Sequence, residues 1–434
     1  MTPPVEARGT GAGSRFPPGL PRAPNAAYAH RRRAREAGGE RARPKVRPVS
    51  SAETVPPANL AALVHSDELA RFDYGDDHPF KPLRARTTLE LCARYGLLDG
   101  PGVVRITPEA ADPGYLERFH DPAYLAVLRR ASGGVHDVAA LARGIGTEDC
   151  PVLRGIWEFC LLATGATRAC VEAVLDGTAR RAFSLVGGFH HAFRGRAEGF
   201  CYVNDVGAAI EDLLARGRRV AYVDLDAHHG NGVQDAFYAE DRVLKISLHE
   251  SGATLYPFGG AETELGAGRG FGFNVNVPLL ERTDDEVYLE AFEALVPPLL
   301  AAFRPDVVVA ELGVDAHVSD PLSHLRLTSG AYYRLVQRLC AVAPRLVGLG
   351  GGGYDVFRAA RCWTLAWAAM AEREPQDGYA GLVGGMMFGS ENDGLFDRPA
   401  PTTGPAKERA QAEARRVIEF HRRSVFPRLG ATPP

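Results

Sequence analysis

Val220-Ala221-Tyr222-Val223-Asp224-Leu225-Asp226-Ala227-His228-His229-Gly230-Asn231 begins as a β-branched and aromatic run and ends in acids, imidazoles and an amide. The apolar half reads as a buried strand, and the polar half as the loop it delivers. Similar short runs occur at Ala61–Val64, Ala182–Val186, Val243–Leu248, Val307–Leu312 and Arg345–Leu349. Between them lie helical patterns at Trp157–Leu175, Val206–Ala215, Asp284–Ala302 and Ser329–Ala341, and a last one at Lys407–His421. Strands alternating with helices predict an α/β fold: an open, mostly parallel sheet flanked by helices in a single catalytic domain over residues 59–430. Thr283-Asp284-Asp285-Glu286 and Thr328-Ser329 carry side-chain oxygens that suit helix starts. Val417, Ile418 and Phe420 give the last helix an apolar face that needs cover.

Four of these strands run into polar clusters. They are Gly187-Gly188-Phe189-His190-His191, the Asp224–Asn231 stretch, Glu311-Leu312-Gly313-Val314-Asp315-Ala316-His317, and Gly350-Gly351-Gly352-Gly353-Tyr354. Ligands of an open parallel sheet sit outside the carboxyl ends of its strands, so four segments far apart in sequence are expected to meet there. Asp226 and His228, two residues apart at a strand end, point to one side and offer a cation one oxygen and one nitrogen. A catalytic zinc site keeps three protein ligands, and Asp315 is the best source of the third. Alone, each of these residues would more often cap a helix or tie a loop; as a cluster of buried charge they call for a cation. His190 and His191 suit proton transfer, with Asp224 and Asn231 as acceptors that fix their rings; further metal ligation or a structural role is the alternative for the pair. Gly348, Gly350 and Gly353 satisfy GxGxxG in form, but no acid-tipped strand follows about 20 residues later, as a dinucleotide site requires. These glycines instead let the backbone come close and present Tyr354.

Composition bounds the rest. With 434 residues, 45% hydrophobic and 24% charged, the chain has material for a large core. Residues 1–58 are rich in Pro, Ala, Gly and Arg without apolar periodicity and are expected to be a disordered basic tail. No run of about 18 apolar residues appears, and no apolar segment follows the N-terminal arginines, so the expectation is a cytoplasmic protein with no membrane partner. A net charge of −3 gives no field that would select nucleic acid. Seven scattered cysteines without a CxxC pair read as buried thiols.

Taken with His78-Pro79-Phe80-Lys81-Pro82 and Arg84, Gly146-Thr147-Glu148-Asp149, Gly188–Ala192, Gly199-Phe200-Cys201-Tyr202-Val203-Asn204-Asp205, Ser247-Leu248-His249-Glu250-Ser251 and Asp320-Pro321-Leu322, the sequence resembles the histone deacetylase family. The likeness is strongest to its bacterial acetoin-utilisation branch. It spans about residues 61–430 and implies an arginase-like α/β fold. It also implies zinc, with iron(II) as the alternative, on Asp226, His228 and Asp315. His190 and His191 would be the acid/base pair and Tyr354 the oxyanion donor. Asp149 would anchor the substrate, Phe200, Tyr256 and Leu322 would line its tunnel, and Gly199 would form the tunnel wall. Asp224, Asp226, His228, Ser247 and Leu248 would surround a K+ or Na+ ion. The implied substrates are acylated lysines of proteins or small acylated amines. A binuclear manganese ureohydrolase and an acyl-lysine binding module are the competing readings. Asn231 stands where many class I relatives have aspartate. An amide carries no charge, so His191 is expected to hold its proton less tightly than it would beside a carboxylate.

Overall fold

All six expected strands form, and two more join them at the edges of one sheet. The strands are β1 (Asn59–Val64), β2 (Val103–Ile106), β3 (Ala179–Ser184), β4 (Val220–Asp224), β5 (Val243–Glu250), β6 (Asn274–Leu279), β7 (Val307–Glu311) and β8 (Leu346–Leu349). Their order is β2-β1-β3-β8-β7-β4-β5-β6, and every pairing is parallel. The computed structural model describes residues 59–375 and 394–433. The expected tail, residues 1–58, lies outside the described residues.

The two unexpected strands have weak sequence signals for physical reasons. β2 is four residues long with an exposed Arg105, and its partly exposed pattern fits an edge. β6, Asn274-Val275-Asn276-Val277-Pro278-Leu279, interleaves two asparagines with its apolar residues. Both amide nitrogens are bound: Asn274 and Asn276 donate through Nδ2 to Gln234 Oε1 at 2.7 and 2.8 Å.

At the centre of the sheet, β3, β8, β7 and β4 are neighbours, and β4, β7 and β8 are buried along their whole length. These are the four strands with polar C-terminal clusters. The helix Ile156–Leu175 packs on β1, β3 and β8, and the helix Val356–Met370 packs on β1 and β3. The latter buries Trp363 and Trp367, whose indoles donate to the Leu312 and Leu97 carbonyls, each at 2.9 Å.

Asp284 caps the helix Asp285–Phe303 by accepting from the Val287 amide, and it also takes Lys407 Nζ at 2.6 and 2.8 Å. One acid thus ends a loop and ties down the C-terminal segment. At the next helix, Ser329–Val342, the expected hydroxyl cap does not form; Thr328 donates to Asp285 Oδ2 at 2.7 Å instead. The helix expected last runs Gly404–Ser424, ahead of a short Phe426–Leu429 helix, with Val417 and Ile418 buried and Phe420 half-buried, and His421 Nε2 donates to the Asn276 carbonyl of β6 at 2.7 Å. All seven cysteines are buried free thiols. Among the described residues no helix is long and apolar enough to cross a membrane.

Candidate active site

Loops leaving β4 and β7 bring Asp226, His228 and Asp315 together, with one potential ligand atom from each within 4.8 Å of the others. His228 Nδ1 lies 2.9 Å from Asp315 Oδ2 and 3.2 Å from Asp226 Oδ1. Backbone amides hold both carboxylates in place. Asp226 accepts from the amides of His228 at 2.9 Å and Gly352 at 2.7 Å, and Asp315 Oδ1 accepts from Ala227 at 2.7 Å. The glycine loop after β8 is part of the cradle: a Cβ on Gly352 would stand 2.1 Å from Asp315 Oδ2 and 2.6 Å from Asp226 Oδ2. Only glycine lets the chain pass so close.

Burial opposes charge on all three groups. His190 and His228 nevertheless hold Asp226 well below the carboxylate range, while Asp315 and Asp226 raise His228 well above an ordinary imidazole. Burial and the nearby Asp226 push Asp315 up to about 7. Two carboxylates and one imidazole, fixed by the backbone and short of positive charge, are a donor set that fits a divalent cation.

The two tandem histidines have unlike partners. His190 Nδ1 sits 3.0 Å from Asp224 Oδ2, which also accepts from the Tyr222 hydroxyl at 2.7 Å. His191 Nδ1 sits 2.8 Å from Asn231 Oδ1, and the two Nε2 atoms face each other at 3.1 Å. Burial disfavours charge on both. Asp224 and Asp226 outweigh it at His190 and raise that group, whereas at His191 burial joins with His190 and His228 to drive it well down. Adjacent residues of one type are thus shifted in opposite directions, a difference that suits an acid/base pair. The loop carrying them is pinned from below: Asp205 accepts from the Gly188 and Phe189 amides at 3.1 and 2.8 Å, and Asn204 donates to the Ala192 carbonyl at 2.9 Å.

Tyr354 follows the glycine loop and sets its ring 6.3 Å from that of His228. Burial and the nearby Asp315 and Asp226 keep its phenol protonated, hence a hydrogen-bond donor. Its own amide donates to Asp320 Oδ2 at 2.7 Å, and Asp320 Oδ1 accepts from Leu322 at 2.9 Å. Buried Arg84 ties the loop from outside, donating to the Gly353 carbonyl at 2.6 Å and to Gly351 while lying over the rings of Phe80 and Trp363.

Above this floor, Phe200 stacks edge-on to Tyr354 at 5.7 Å and to His78 at 4.7 Å, while Tyr256 approaches His191 at 5.3 Å. Leu322 is half-buried, Asp149 is exposed, and the Asp149 backbone carbonyl accepts from His78 Nε2 at 3.2 Å. Asp224 and Ser247 are register partners on β4 and β5. Ser247 Oγ faces His249 Nδ1 at 2.8 Å, and the Leu248 carbonyl accepts from Tyr288 at 3.1 Å.

Sequence reading left three contributors without a part. Tyr222 lies two residues before Asp224 on the same strand face, a spacing that signals the contact in retrospect. Arg84, the buried cation between exposed Arg86 and half-buried Lys81, entered with the His78–Pro82 motif but without a role. Glu198, bonded to Asn231, gave no signal.

A family model described as a histone deacetylase domain matches residues 78–370. The chain is 36% identical over 323 residues to the acetoin utilization protein AcuC of Bacillus subtilis (strain 168), covering 73% of this chain and 83% of that protein. It is 35% identical over 315 residues to the type-1 histone deacetylase 1 of Dictyostelium discoideum, covering 72% of this chain and 63% of that longer protein. The crystal structure of an HDAC homolog from Aquifex aeolicus superposes with a TM-score of 0.74 at 31% identity, covering 83% of this chain and 99% of the other.

Proposed function

The chain belongs to the histone deacetylase family, and from that premise we propose that it is a zinc-dependent amidohydrolase removing acetyl or similar acyl groups from lysine side chains or related amines. The observation that carries the reading is the convergence of Asp226, His228 and Asp315 with the His190/His191 pair and Tyr354 at the ends of four adjacent strands.

Asp226, His228 and Asp315 would hold the metal, which when bound supplies Lewis-acid polarisation of the acyl oxygen and activation of water. His191, kept neutral, takes the proton of the attacking water at Nε2. His190, whose hold on a proton Asp224 strengthens, is the proton source for the departing amine. Tyr354 donates its phenolic hydrogen to the oxyanion of the tetrahedral species. Phe200 and Tyr256 flank the acyl chain and exclude water, and Leu322 and Asp149 meet the substrate further out. Asp224, Ser247 and Leu248 supply oxygens beside a monovalent cation in the same reading. Residues 59–430 form the catalytic domain, and the protein works in the cytoplasm. A panel of acetyl- and longer acyl-lysine peptides and acetylpolyamines, run on metal-defined protein, tests the assignment. Cleavage of at least one class is expected; no cleavage of any, with the ligand retained intact, would contradict it.

A further inference from the structure

The Asn231 carboxamide has two unlike ends, and only one of them serves His191. Its Oδ1 faces His191 Nδ1 at 2.8 Å and accepts from the Gly232 amide at 3.0 Å; its Nδ2 donates to Glu198 Oε1 at 3.0 Å. An ionised carboxylate only accepts, so Glu198 turns Nδ2 outward and Oδ1 inward. With an oxygen facing it, His191 Nδ1 must carry the ring proton, and Nε2 keeps the lone pair.

Glu198 is itself well placed. Its Oε2 accepts from Arg196 Nε at 2.8 Å and Nη2 at 2.5 Å, and its backbone bridges to Cys201 across a turn. That turn has Gly199 at φ 55° and Phe200 at φ 66°. A Cβ on Gly199 would come within 2.6 Å of His191 Cδ2, so the turn carrying Glu198 presses directly on the imidazole. The negative charge that an aspartate at position 231 would set against the ring here sits one residue further out.

We propose that Glu198 is a positioning residue that acts through Asn231 to fix His191 in the tautomer protonated on Nδ1. The proposal rests on the reading of His191 as proton acceptor. It makes the effect of Glu198→Ala depend on what occupies position 231. With asparagine there, the amide loses one of the two contacts that set its orientation. With aspartate there, both ends accept, no orientation has to be chosen, and Glu198 becomes a like charge at hydrogen-bond distance.

The test uses the full chain in four forms: wild type, Glu198→Ala, Asn231→Asp and the double variant. Nitrogen-15 NMR of the His191 ring, assigned by comparison with His191→Ala, reports the tautomer without turnover. We expect Nδ1–H in wild type, a tautomer mixture in Glu198→Ala, and Nδ1–H again in the double variant. On an acetyl-lysine peptide, Glu198→Ala should lower kcat about tenfold at unchanged KM, the scale of one charge-assisted hydrogen bond, yet raise kcat in the Asn231→Asp background. An unchanged tautomer in Glu198→Ala, or a kcat effect of the same sign in both backgrounds, overturns the proposal. The expected tautomers in a protein that cleaves no acyl amine would overturn the proposed function and leave the positioning role standing.

Discussion

At the floor of the site Asp224, Asp226 and Asp315 are 0%, 1% and 0% exposed, and each is held by a backbone amide. At the rim Asp149 is exposed, Phe258, its ring 6.2 Å from that of Tyr256, is 72% exposed, and Phe200 sits at the tip of a turn. The floor spends its hydrogen bonds on fixing charge before any substrate arrives, which is how a site concentrates electrostatic effect on a transition state. The rim presents aromatic surface and an exposed acid, which in the proposed function meet the substrate. Floor substitutions should therefore act on turnover, and rim substitutions on substrate affinity.

The largest effect is expected at a floor ligand: His228→Ala should lower kcat/KM more than about 10³-fold, beyond the about 10–100-fold typical of outer-shell losses around a metal. Metal content per chain, measured alongside, should fall with it; full metal retention would break the assignment. Tyr354→Phe comes next, with kcat down about 10²–10³-fold and KM little changed, as for loss of one oxyanion donor. Unaltered turnover would remove Tyr354 from the floor.

A third consequence concerns what lies under the floor. His249, buried on β5 between Ser247 Oγ and the Gly260 carbonyl, is pushed down to about 4 by burial. Its folded pKa lies below its unfolded value, so the unfolded chain takes up the proton first as pH falls. The stability it allows is fully present above about 6.5 and is lost as pH drops toward about 4, at about 1.4 kcal/mol per pH unit. Urea denaturation of wild type and His249→Gln at pH 7 and 4.5 isolates this contribution; a difference between the two proteins that does not change with pH would contradict it. The smallest effect belongs to the rim: Phe200→Ala should raise KM about fivefold with kcat kept, the worth of one aromatic wall. A loss of kcat instead would blur the division between the two regions.

The same contrast explains what could be read from sequence. Floor residues follow short apolar runs, nearly unbroken in β4, β7 and β8 and confined to the end of β3, so these strands announced both themselves and the clusters they deliver. The site's convergence needed only the rule that ligands gather at strand C-termini. β2 and β6 were hidden because a four-residue edge and an asparagine-interrupted strand have no such run. Glu198, and the part that Arg84 plays, were illegible for another reason: their partners, Asn231 and the Gly351 and Gly353 carbonyls, are brought to them only by tertiary packing. Rim residues such as Phe200, Tyr256 and Leu322 entered through family resemblance alone, since loop side chains carry no periodicity.

The most direct test of the account is the rate of acetate release from an acetyl-lysine peptide as zinc is titrated into metal-stripped protein. The account predicts a rate that rises from background and saturates at about one equivalent per chain, the capacity of one three-ligand site. No acetate at any zinc level, or activity that requires about two manganese ions per chain, would contradict it.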